Sequence, residues 1–387
     1  MHFLKFMKTC INLNKKKIAI FSGDPAGGKI LSYLAKEIEK KYKIYSFATG
    51  SSIEIFKKRK VKFKKLIDNI SIKKIKQKIK KIKPQLVITG AGTYNMIEHN
   101  SRLASNELKL QTISINDYWF EYGSRFKRTI FNKTIYSIPD WIFTMDNYSK
   151  YKIKFELKKK LKKTKFFITG FANLDIINKK NKNLLNIKKK IKIVFFSDAI
   201  IVKNKNLKST EGICIDKNGK SIFGYFPHTI IEKIFLSLLK FNKKYKIKII
   251  FLIKPHPRED ETKIKALIKK YQFNSSIKIM IINKKKDSIE VMKRGNVIMG
   301  MASVALLESS LLKKPTISVQ IGLKKNMEDP CISNKFGWSV PVYDEKKLDQ
   351  LVKKIVFNRK PLKLINKNKI VYKGALKKII KKIDQVI

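Results

Sequence analysis

Two stretches decide the fold, residues 251–260 (FLIKPHPRED) and residues 296–320 (NVIMGMASVALLESSLLKKPTISVQ). The first continues an apolar run from Ile249, which predicts a buried strand, and it breaks at Pro255 into a polar loop. The second predicts a strand, a turn at residues 300–303, a helix and a further strand. Because ligands of open α/β sheets bind at the carboxyl ends of the strands, these two loops predict a site for an anionic, nucleotide-bearing ligand.

The same alternation of strand and helix begins near the N-terminus. Residues 18–22 (IAIFS) predict a short buried strand, and the loop GDPAGG at 23–28 leads into a predicted helix at 29–40. Further strands are predicted at 42–48, 86–89, 112–115, 141–145, 166–169, 191–197, 247–253, 277–282 and 316–320. This regular order predicts an α/β protein with doubly wound parallel sheets that carry helices on both faces.

The predicted elements fall into two domains. Residues 173–190 are rich in Asn, Lys and Leu and give no strand signal, so we interpret them as a connector between an N-terminal domain (1–172) and a second domain (191–371). Residues 198–226 carry scattered Gly, Asn and Asp and predict a loop, and residues 372–387 predict a basic amphipathic helix. At 387 residues the chain is long enough for two separate cores.

A formal charge of +59 is the extreme feature of the composition. Such a charge is typical of proteins that bind nucleic acid or an anionic membrane. However, only 7 of the 88 basic residues are Arg, whereas phosphate forks and base edges are contacted preferentially by the planar guanidinium group. Lys, Ile, Asn and Phe are enriched together, which indicates compositional drift of surface positions, and the sequence therefore argues against nucleic acid as the partner.

The few cysteines and histidines suggest neither disulfides nor a metal site. Cys10, Cys214 and Cys331 form no CxxC pair, so we expect a reducing compartment. The four histidines do not cluster with other ligand types, and we expect no metal and no cofactor. No run of 18 apolar residues occurs, which predicts a cytoplasmic protein. The basic stretch 57–83 leaves open a peripheral contact with an anionic membrane on its inner face, or simply a solvated helix under lysine drift.

With these motifs the chain resembles the GT-B type glycosyltransferase superfamily, in the broad group that includes UDP-N-acetylglucosamine 2-epimerase and CDP-glycerol or polysialic-acid transferases. The resemblance lies mainly in the Lys254-Pro-His-Pro loop, the Gly300-x-x-Ser303 turn, the helix residue Glu308 and the pair Lys314-Pro315. It implies two Rossmann-like domains that face each other across a cleft, with a nucleotide-donor site in the C-terminal domain and an acceptor site in the N-terminal domain.

The candidate donor-binding residues follow from that assignment. Gly300 and Ser303 open a helix whose free N–H groups suit a diphosphate, although Ser303 also fits a plain N-cap. Glu308 is placed to accept the ribose hydroxyls, unless it is a solvated residue. His256 suits phosphate contact near neutral pH, and Arg258 suits a forked phosphate contact or an ion pair.

Candidate residues of the N-terminal domain come from three loops. Asp117, Asp24 and Glu98, in that order, are the candidates for a catalytic base that deprotonates an acceptor hydroxyl. Five residues are candidates for substrate binding, or alternatively for turns and core packing: Gly27, Gly28, Tyr118, Trp119 and Arg125. Trp119 suits either a platform for a sugar ring or a place in the core.

The resemblance implies transfer of a sugar or polyol phosphate from a nucleotide-activated donor to a glycan or lipid-linked acceptor in cell-surface polysaccharide assembly. An epimerase or hydrolase of a nucleotide sugar has the same fold and stays open as the alternative, because the reaction depends on one or two side chains. A lysine-rich nucleic-acid-binding protein is the rival from another class.

Overall fold

The structure is a computed structural model, and it describes residues 15–93, 95–130, 133–161, 163–178, 191–198, 201–203, 210–212, 220–245, 248–257, 259–271, 277–358 and 374–387. The chain divides into two compact units. The first comprises Met1–Lys179 with Ile370–Ile387, and the second comprises Lys180–Lys369. The C-terminal segment thus returns to the first unit.

The first unit is built on a seven-stranded sheet in which every neighbouring pair is parallel. The strands are β1 (Lys17–Ser22), β2 (Lys43–Ala48), β3 (Phe63–Lys65), β4 (Leu86–Gly90), β5 (Gln111–Ile115), β6 (Lys127–Ile130), β7 (Lys133–Tyr136), β8 (Trp141–Thr144) and β9 (Lys165–Ile168). Their order is β3-β2-β1-β4-β5-β8-β9, with β6 and β7 forming a separate antiparallel hairpin. The order reverses between β1 and β4, as in Rossmann-like sheets.

Helices cover both faces of this sheet. They are α1 (Pro25–Ile38), α2 (Ser52–Lys58), α3 (Ile72–Ile82), α4 (Met96–Glu107), α5 (Asn147–Leu157) and α6 (Ala172–Asn178), with 3-10 turns at Ser124–Phe126 and Lys158–Leu161. Alternate residues of β1 enter different cores, because side chains alternate along a strand. Ile18 and Ile20 pack with α1, whereas Ala19 and Phe21 pack with α3 and α4. The predicted doubly wound architecture is confirmed.

The second unit repeats the pattern with a six-stranded parallel sheet, in the order β14-β13-β10-β15-β16-β17. Its elements are β10 (Ile191–Phe196), β11 (Ile201–Lys203), β12 (Thr210–Gly212), α7 (Pro227–Tyr245), β13 (Ile249–Lys254), α8 (Thr262–Tyr271), β14 (Ile277–Ile281), α9 (Ser288–Arg294), β15 (Val297–Gly300), α10 (Val304–Leu311), β16 (Thr316–Val319), α11 (Ile332–Lys335), β17 (Val340–Val342) and α12 (Glu345–Asn358). One core joins β10, β13 and β15 to α7 and α12.

Three predicted boundaries are wrong for local reasons. Helix α1 begins at Pro25, so Gly27 and Gly28 are helical, because proline is well suited to a first helical turn. The helical spacing of apolar residues over 66–83 predicts a helix from Leu66. The helix begins only at Ile72, since Ser71 caps it by accepting from the Lys74 N–H at 3.4 Å. The expected loop at 198–226 contains the antiparallel pair β11 and β12.

No helix in the described part of the chain is long and apolar enough to cross a membrane. The C-terminal helix, Ala375–Val386, instead buries one apolar face, Leu376, Ile379 and Ile383, in the first unit. Its N-cap is Gly374, which has no side chain to satisfy the first N–H groups. Asp175 of α6 caps the helix instead: its carboxylate accepts hydrogen bonds from the Gly374 N–H at 2.8 Å and from the Leu376 N–H at 2.9 Å.

We expect Asp175→Ala to destabilise the first unit by about 1 kcal/mol, because the variant removes both cap acceptors and the favourable charge at the helix start. Urea unfolding measures this change. Glu39→Gln is the control, since Glu39 forms only an exposed ion pair with Lys36 at 3.2 Å. Equal stability of the two variants would contradict this capping role.

Candidate functional site

Two loops meet where the strand order of the first sheet reverses. The loop after β1 carries Gly23 and Asp24, and the loop after β4 carries Ala91 and Gly92. Gly23, Ala91 and Gly92 are buried, whereas the side chain of Asp24 is partly exposed to solvent. Both loops therefore lie at the carboxyl edge of the first sheet.

Glu98 of α4 joins the two loops from behind. Its side chain is fully buried, and its carboxylate accepts hydrogen bonds from the Gly23 N–H at 3.1 Å and from the Gly92 N–H. Burial and the nearby Asp24 together raise the pKa of Glu98 from 4.5 to about 7, against the lowering effect of the two N–H donors and of Arg102. Glu98 therefore holds or releases a proton near neutral pH.

Glycines allow the carboxylates to approach the backbone closely. A methyl group added at Gly92 would lie 2.1 Å from Asp24 Oδ2 and 2.8 Å from Glu98 Oε2. At Gly27 it would lie 3.5 Å from Glu98 Oε1 and 3.6 Å from Asp117 Oδ2. Three candidate acids from different segments thus converge on two glycines. We call Asp24, Glu98 and Asp117 the carboxyl cluster.

Asp117 is the most constrained member of the carboxyl cluster. It is 3 % exposed and accepts from Arg125 Nη1 at 2.7 Å, and the same nitrogen donates to the Ala91 carbonyl at 2.6 Å. Arg125 is itself buried, so this ion pair fixes the loop after β4 against the loop after β5. Arg125 therefore positions other groups of the site.

Arg102 is a residue that the sequence analysis missed. Its guanidinium is fully buried and donates to the carbonyls of Gly90, Ser137 and Arg125, at 3.1, 2.9 and 2.8 Å. These acceptors are far apart in the chain, so only the fold brings them together. Arg102 thus holds together, by hydrogen bonds, the backbone segments that carry or adjoin the carboxyl cluster.

The remaining predicted residues of the first unit lie outside the carboxyl cluster. Gly28 faces Ser52, whose Oγ would lie 2.6 Å from an added methyl group. Trp119 is 4 % exposed, donates from Nε1 to Asp146 Oδ2 at 2.6 Å and packs on Phe171. Of its two predicted places, the structure gives Trp119 the one in the core. Tyr118 is half-buried and contacts the Trp119 ring edge to face.

In the second unit, Glu259 organises the loop after β13. Its carboxylate accepts from the Ser197 hydroxyl at 2.7 Å and from the His256 N–H at 3.0 Å, so it ties this loop to the end of β10. Burial raises the pKa of Glu259 to about 8, and Asp198 contributes to that rise. His256 is half-buried in this loop, and Arg258 lies outside the described residues.

The predicted anion site at the start of α10 already holds an internal carboxylate. Asp198 Oδ2 accepts from the Ala302 N–H at 2.7 Å and also pairs with the Ser303 hydroxyl. Ser303 caps the helix as well, accepting from the Ala305 N–H at 3.3 Å. Burial raises the pKa of Asp198 to about 6. Both predicted roles of Ser303, cap and anion contact, thus involve the same hydroxyl.

Gly300 and Glu308 occupy packed positions near that turn. A methyl group at Gly300 would lie 2.9 Å from the Phe196 carbonyl, which explains the glycine at the end of β15. Glu308 is 3 % exposed within α10. Lys314 of the predicted Lys-Pro pair donates to the Gly295 carbonyl at 2.7 Å, so its ammonium is a structural partner of the end of α9. Within the described ranges, no group of three or more His, Cys, Asp or Glu side chains is arranged to hold a metal ion.

The pH dependence of stability tests the environment of Glu98. Because folding raises its pKa from 4.5 to about 7, the stabilising effect of this proton is complete below about pH 4.5 and disappears as the pH rises to about 7. The loss amounts to about 3 kcal/mol. We expect Glu98→Gln to lack this component, so urea unfolding from about pH 5 to 8 should show a smaller loss of stability than the wild type does.

Glu39→Gln, at an exposed position, controls for general pH effects and should follow the wild type. Parallel pH profiles for the wild type and Glu98→Gln would show that Glu98 has an ordinary pKa.

No protein-family model matches the chain, and no characterised protein matches it by sequence. Solved structures do match. UDP-GlcNAc 2-epimerase from Neisseria meningitidis, bound to UDP-GlcNAc, superposes with a TM-score of 0.66 at 14% identity, covering 95% of this chain and 100% of that one. UDP-GlcNAc 2-epimerase from Methanocaldococcus jannaschii gives a TM-score of 0.64 at 18% identity, with 95% and 99% coverage.

The UDP complex of MnaA from S. aureus gives a TM-score of 0.63 at 14% identity, with 96% and 98% coverage. At these identities the likeness establishes the fold. The chain has the two-domain, Rossmann-like fold of the GT-B type, as the sequence predicts, and it shares that fold with UDP-GlcNAc 2-epimerases.

Proposed function

We propose that this protein is a nucleotide-sugar epimerase that inverts a carbon of the sugar in a UDP-sugar. The carboxyl cluster is the observation that carries the proposal. The shared fold, with 95% or more of each chain covered, supports it, since two of the neighbouring structures are named as UDP-GlcNAc 2-epimerases. One of these is a complex with UDP-GlcNAc, and MnaA from S. aureus is a complex with UDP. Among the alternatives raised by the sequence, these neighbours favour epimerisation over glycosyl transfer.

Inversion of a carbon that bears hydrogen needs one group to take a proton and a group to return a proton on the other face. Asp24 is the half-exposed acid of the carboxyl cluster, so it is the member that can touch substrate. Glu98 lies behind it, fully buried, with a pKa of about 7. In this proposal Asp24 takes the proton from one face of the sugar carbon, and solvent water gives a proton to the other face. The hydroxide that remains is neutralised by the proton that Asp24 holds, which restores the Asp24 carboxylate. Glu98 is a positioning residue that stabilises either charge state of Asp24.

Asp117, the first candidate from the sequence, ranks lower as a base in this proposal. Its Oδ1 is held by Arg125 at 2.7 Å and its side chain is buried. A carboxylate fixed by an ion pair is favoured in its charged form and serves to orient its neighbours. We propose that Asp117 and Arg125 hold the loop after β4 in place around Asp24 and Glu98.

The loops after β10, β13 and β15 are proposed to bind the uridine diphosphate. Backbone N–H groups at the start of α10 attract an anion, and Asp198 is held there already. A diphosphate at this position has to displace that carboxylate or lie beside it. His256, Ser303 and Glu308 stay candidates for contacts to the phosphates and the ribose.

Product analysis distinguishes the candidate reactions. We expect UDP-GlcNAc, labelled in both uridine and sugar and incubated in deuterated water, to give a sugar epimer that is still joined to UDP and carries deuterium at the inverted carbon. Free UDP that appears only with an added acceptor extract would support glycosyl transfer instead, and free sugar without acceptor would support hydrolysis. Absence of both turnover and UDP binding would contradict every nucleotide-sugar assignment.

Substitutions in the carboxyl cluster should then distinguish the residue that contacts substrate, Asp24, from the residue that positions it, Glu98. We expect Asp24→Asn to reduce turnover by about 100-fold or more, the range of general acid–base catalysis. Glu98→Gln should reduce turnover less and should flatten the pH profile near 7, since it removes the buried titrating group. Glu54→Gln, at an exposed ion pair, is the control and should keep full activity. Full activity of Asp24→Asn would contradict the assignment.

Asp198→Asn tests the donor site. Removing the internal negative charge should tighten UDP-sugar binding by about 1 kcal/mol, roughly fivefold, as measured by calorimetry at about 0.3 M salt. Asp287→Asn is the matched control, because Asp287 caps the start of α9 through the Ile289 and Glu290 N–H groups. Weaker binding by Asp198→Asn, with the control unchanged, would show that Asp198 shapes the turn for the ligand and does not compete with it.

A further inference from the structure

We propose that a lysine-lined groove on the first unit binds the headgroups of an anionic phospholipid surface. The groove has a volume of about 540 Å³ and lies between β3 and α3. Five lysines line it, namely Lys64, Lys65, Lys74, Lys78 and Lys81, together with Gln77 and the apolar residues Leu66, Ile67 and Ile70. We call it the lysine groove, and the proposal does not depend on the reaction that the protein catalyses.

The charge of the lysine groove is not neutralised locally. No acidic residue lines it, and no described residue forms an ion pair with any of its five lysines. Some other surface lysines are paired: Lys76 of the same helix contacts Glu107 at 2.7 Å, and Lys233 contacts Glu345 at 2.7 Å. Each free lysine near an anionic membrane adds attraction to the lipid phosphates.

The rigid base of the lysine groove comes from the fold. Ile75 and Ile79 of α3 are buried in the core of the first unit, so the opposite face of the helix is fixed toward solvent. Lys74, Lys78 and Lys81 recur at helical spacing and therefore lie on one side of α3. Since the apolar face of α3 is buried in the core, we expect α3 to contact a membrane through the charged groups of these lysines.

Ile67 distinguishes a lipid surface from other polyanions. It is 65 % exposed, which is the largest exposure of any large hydrophobic residue in the described ranges. An apolar side chain surrounded by lysines is typical of residues that enter the headgroup boundary of a bilayer. A single-stranded nucleic acid would instead call for an aromatic platform, and the residues that line the groove include none.

Vesicle co-sedimentation at about 0.15 M salt tests the proposal. The full-length protein should bind vesicles that contain about one third phosphatidylserine and should not bind phosphatidylcholine alone. The triple variant Lys74→Gln/Lys78→Gln/Lys81→Gln should lose about tenfold or more in partition coefficient. Ile67→Ser should lose a few fold, and its loss should persist at higher salt because it is apolar.

The control removes the same charge elsewhere. Lys346→Gln/Lys353→Gln/Lys354→Gln changes three exposed lysines of α12, and it should bind nearly as well as the wild type. An equal loss in both triple variants would mean that the total charge of +59 drives binding, which overturns the proposal. Tight binding of a single-stranded oligonucleotide, lost only in the groove variant, would replace the lipid with nucleic acid and also overturn it. Unchanged thermal unfolding of the variants confirms that they fold.

Discussion

The buried carboxyl group of Glu98 is the interaction on which the first unit depends. It accepts N–H groups from the loops after β1 and β4, and so it closes the sheet edge where the strand order reverses. Burial of this group is costly unless its hydrogen bonds are made or it takes up a proton. Both effects act on Glu98. The two N–H groups stabilise its charged form, whereas burial and Asp24 favour its protonated form and raise its pKa to about 7.

The second unit repeats this arrangement at its own reversal point, between β10 and β15. Asp198 follows the first strand of its sheet just as Asp24 follows β1, and Asp198 accepts from a backbone N–H of the neighbouring loop. Glu259 ties a third loop to the same edge. In both units, therefore, a titratable acid lies where backbone donors converge. Such groups respond to an anionic ligand or a proton, which is the property that the proposed reaction requires.

The sequence predicts the two sheets well because their strands are continuous apolar runs with Gly, Pro and Asp at the ends. It also names Asp24, Glu98 and Asp117 as alternative candidates for a catalytic base, but their convergence near Gly27 and Gly92 is seen only in the structure. It does not predict Arg102, whose partners become neighbours only in the fold. Nor does it decide whether Trp119 is exposed, because an aromatic residue after a strand suits a binding surface and a core equally.

Local chemistry explains the other differences. Gly27 and Gly28 suggested a flexible loop, yet Pro25 starts a helix before them and the glycines give room for packing. The sequence predicts a free anion site at the start of α10. A hydrogen bond between the Ala302 N–H and the carboxylate of Asp198, 104 residues away, leaves no pattern in the sequence that would predict it. Long-range polar pairs are thus the part of the site that the fold alone reveals.

Infrared titration of the carboxyl groups tests the central claim most directly, by comparing the wild type with Glu98→Gln across about pH 5 to 9. We expect the difference between the wild type and Glu98→Gln to contain a protonated-carboxyl band that disappears with a midpoint near pH 7. Glu259 and Asp198, whose pKa values are also raised, contribute equally to both proteins and cancel in this difference. A band that disappears with the ordinary carboxyl groups, near pH 4.5, would contradict this claim. Glu98 would then be a permanently charged structural acceptor, and it would not stabilise both charge states of Asp24 near neutral pH.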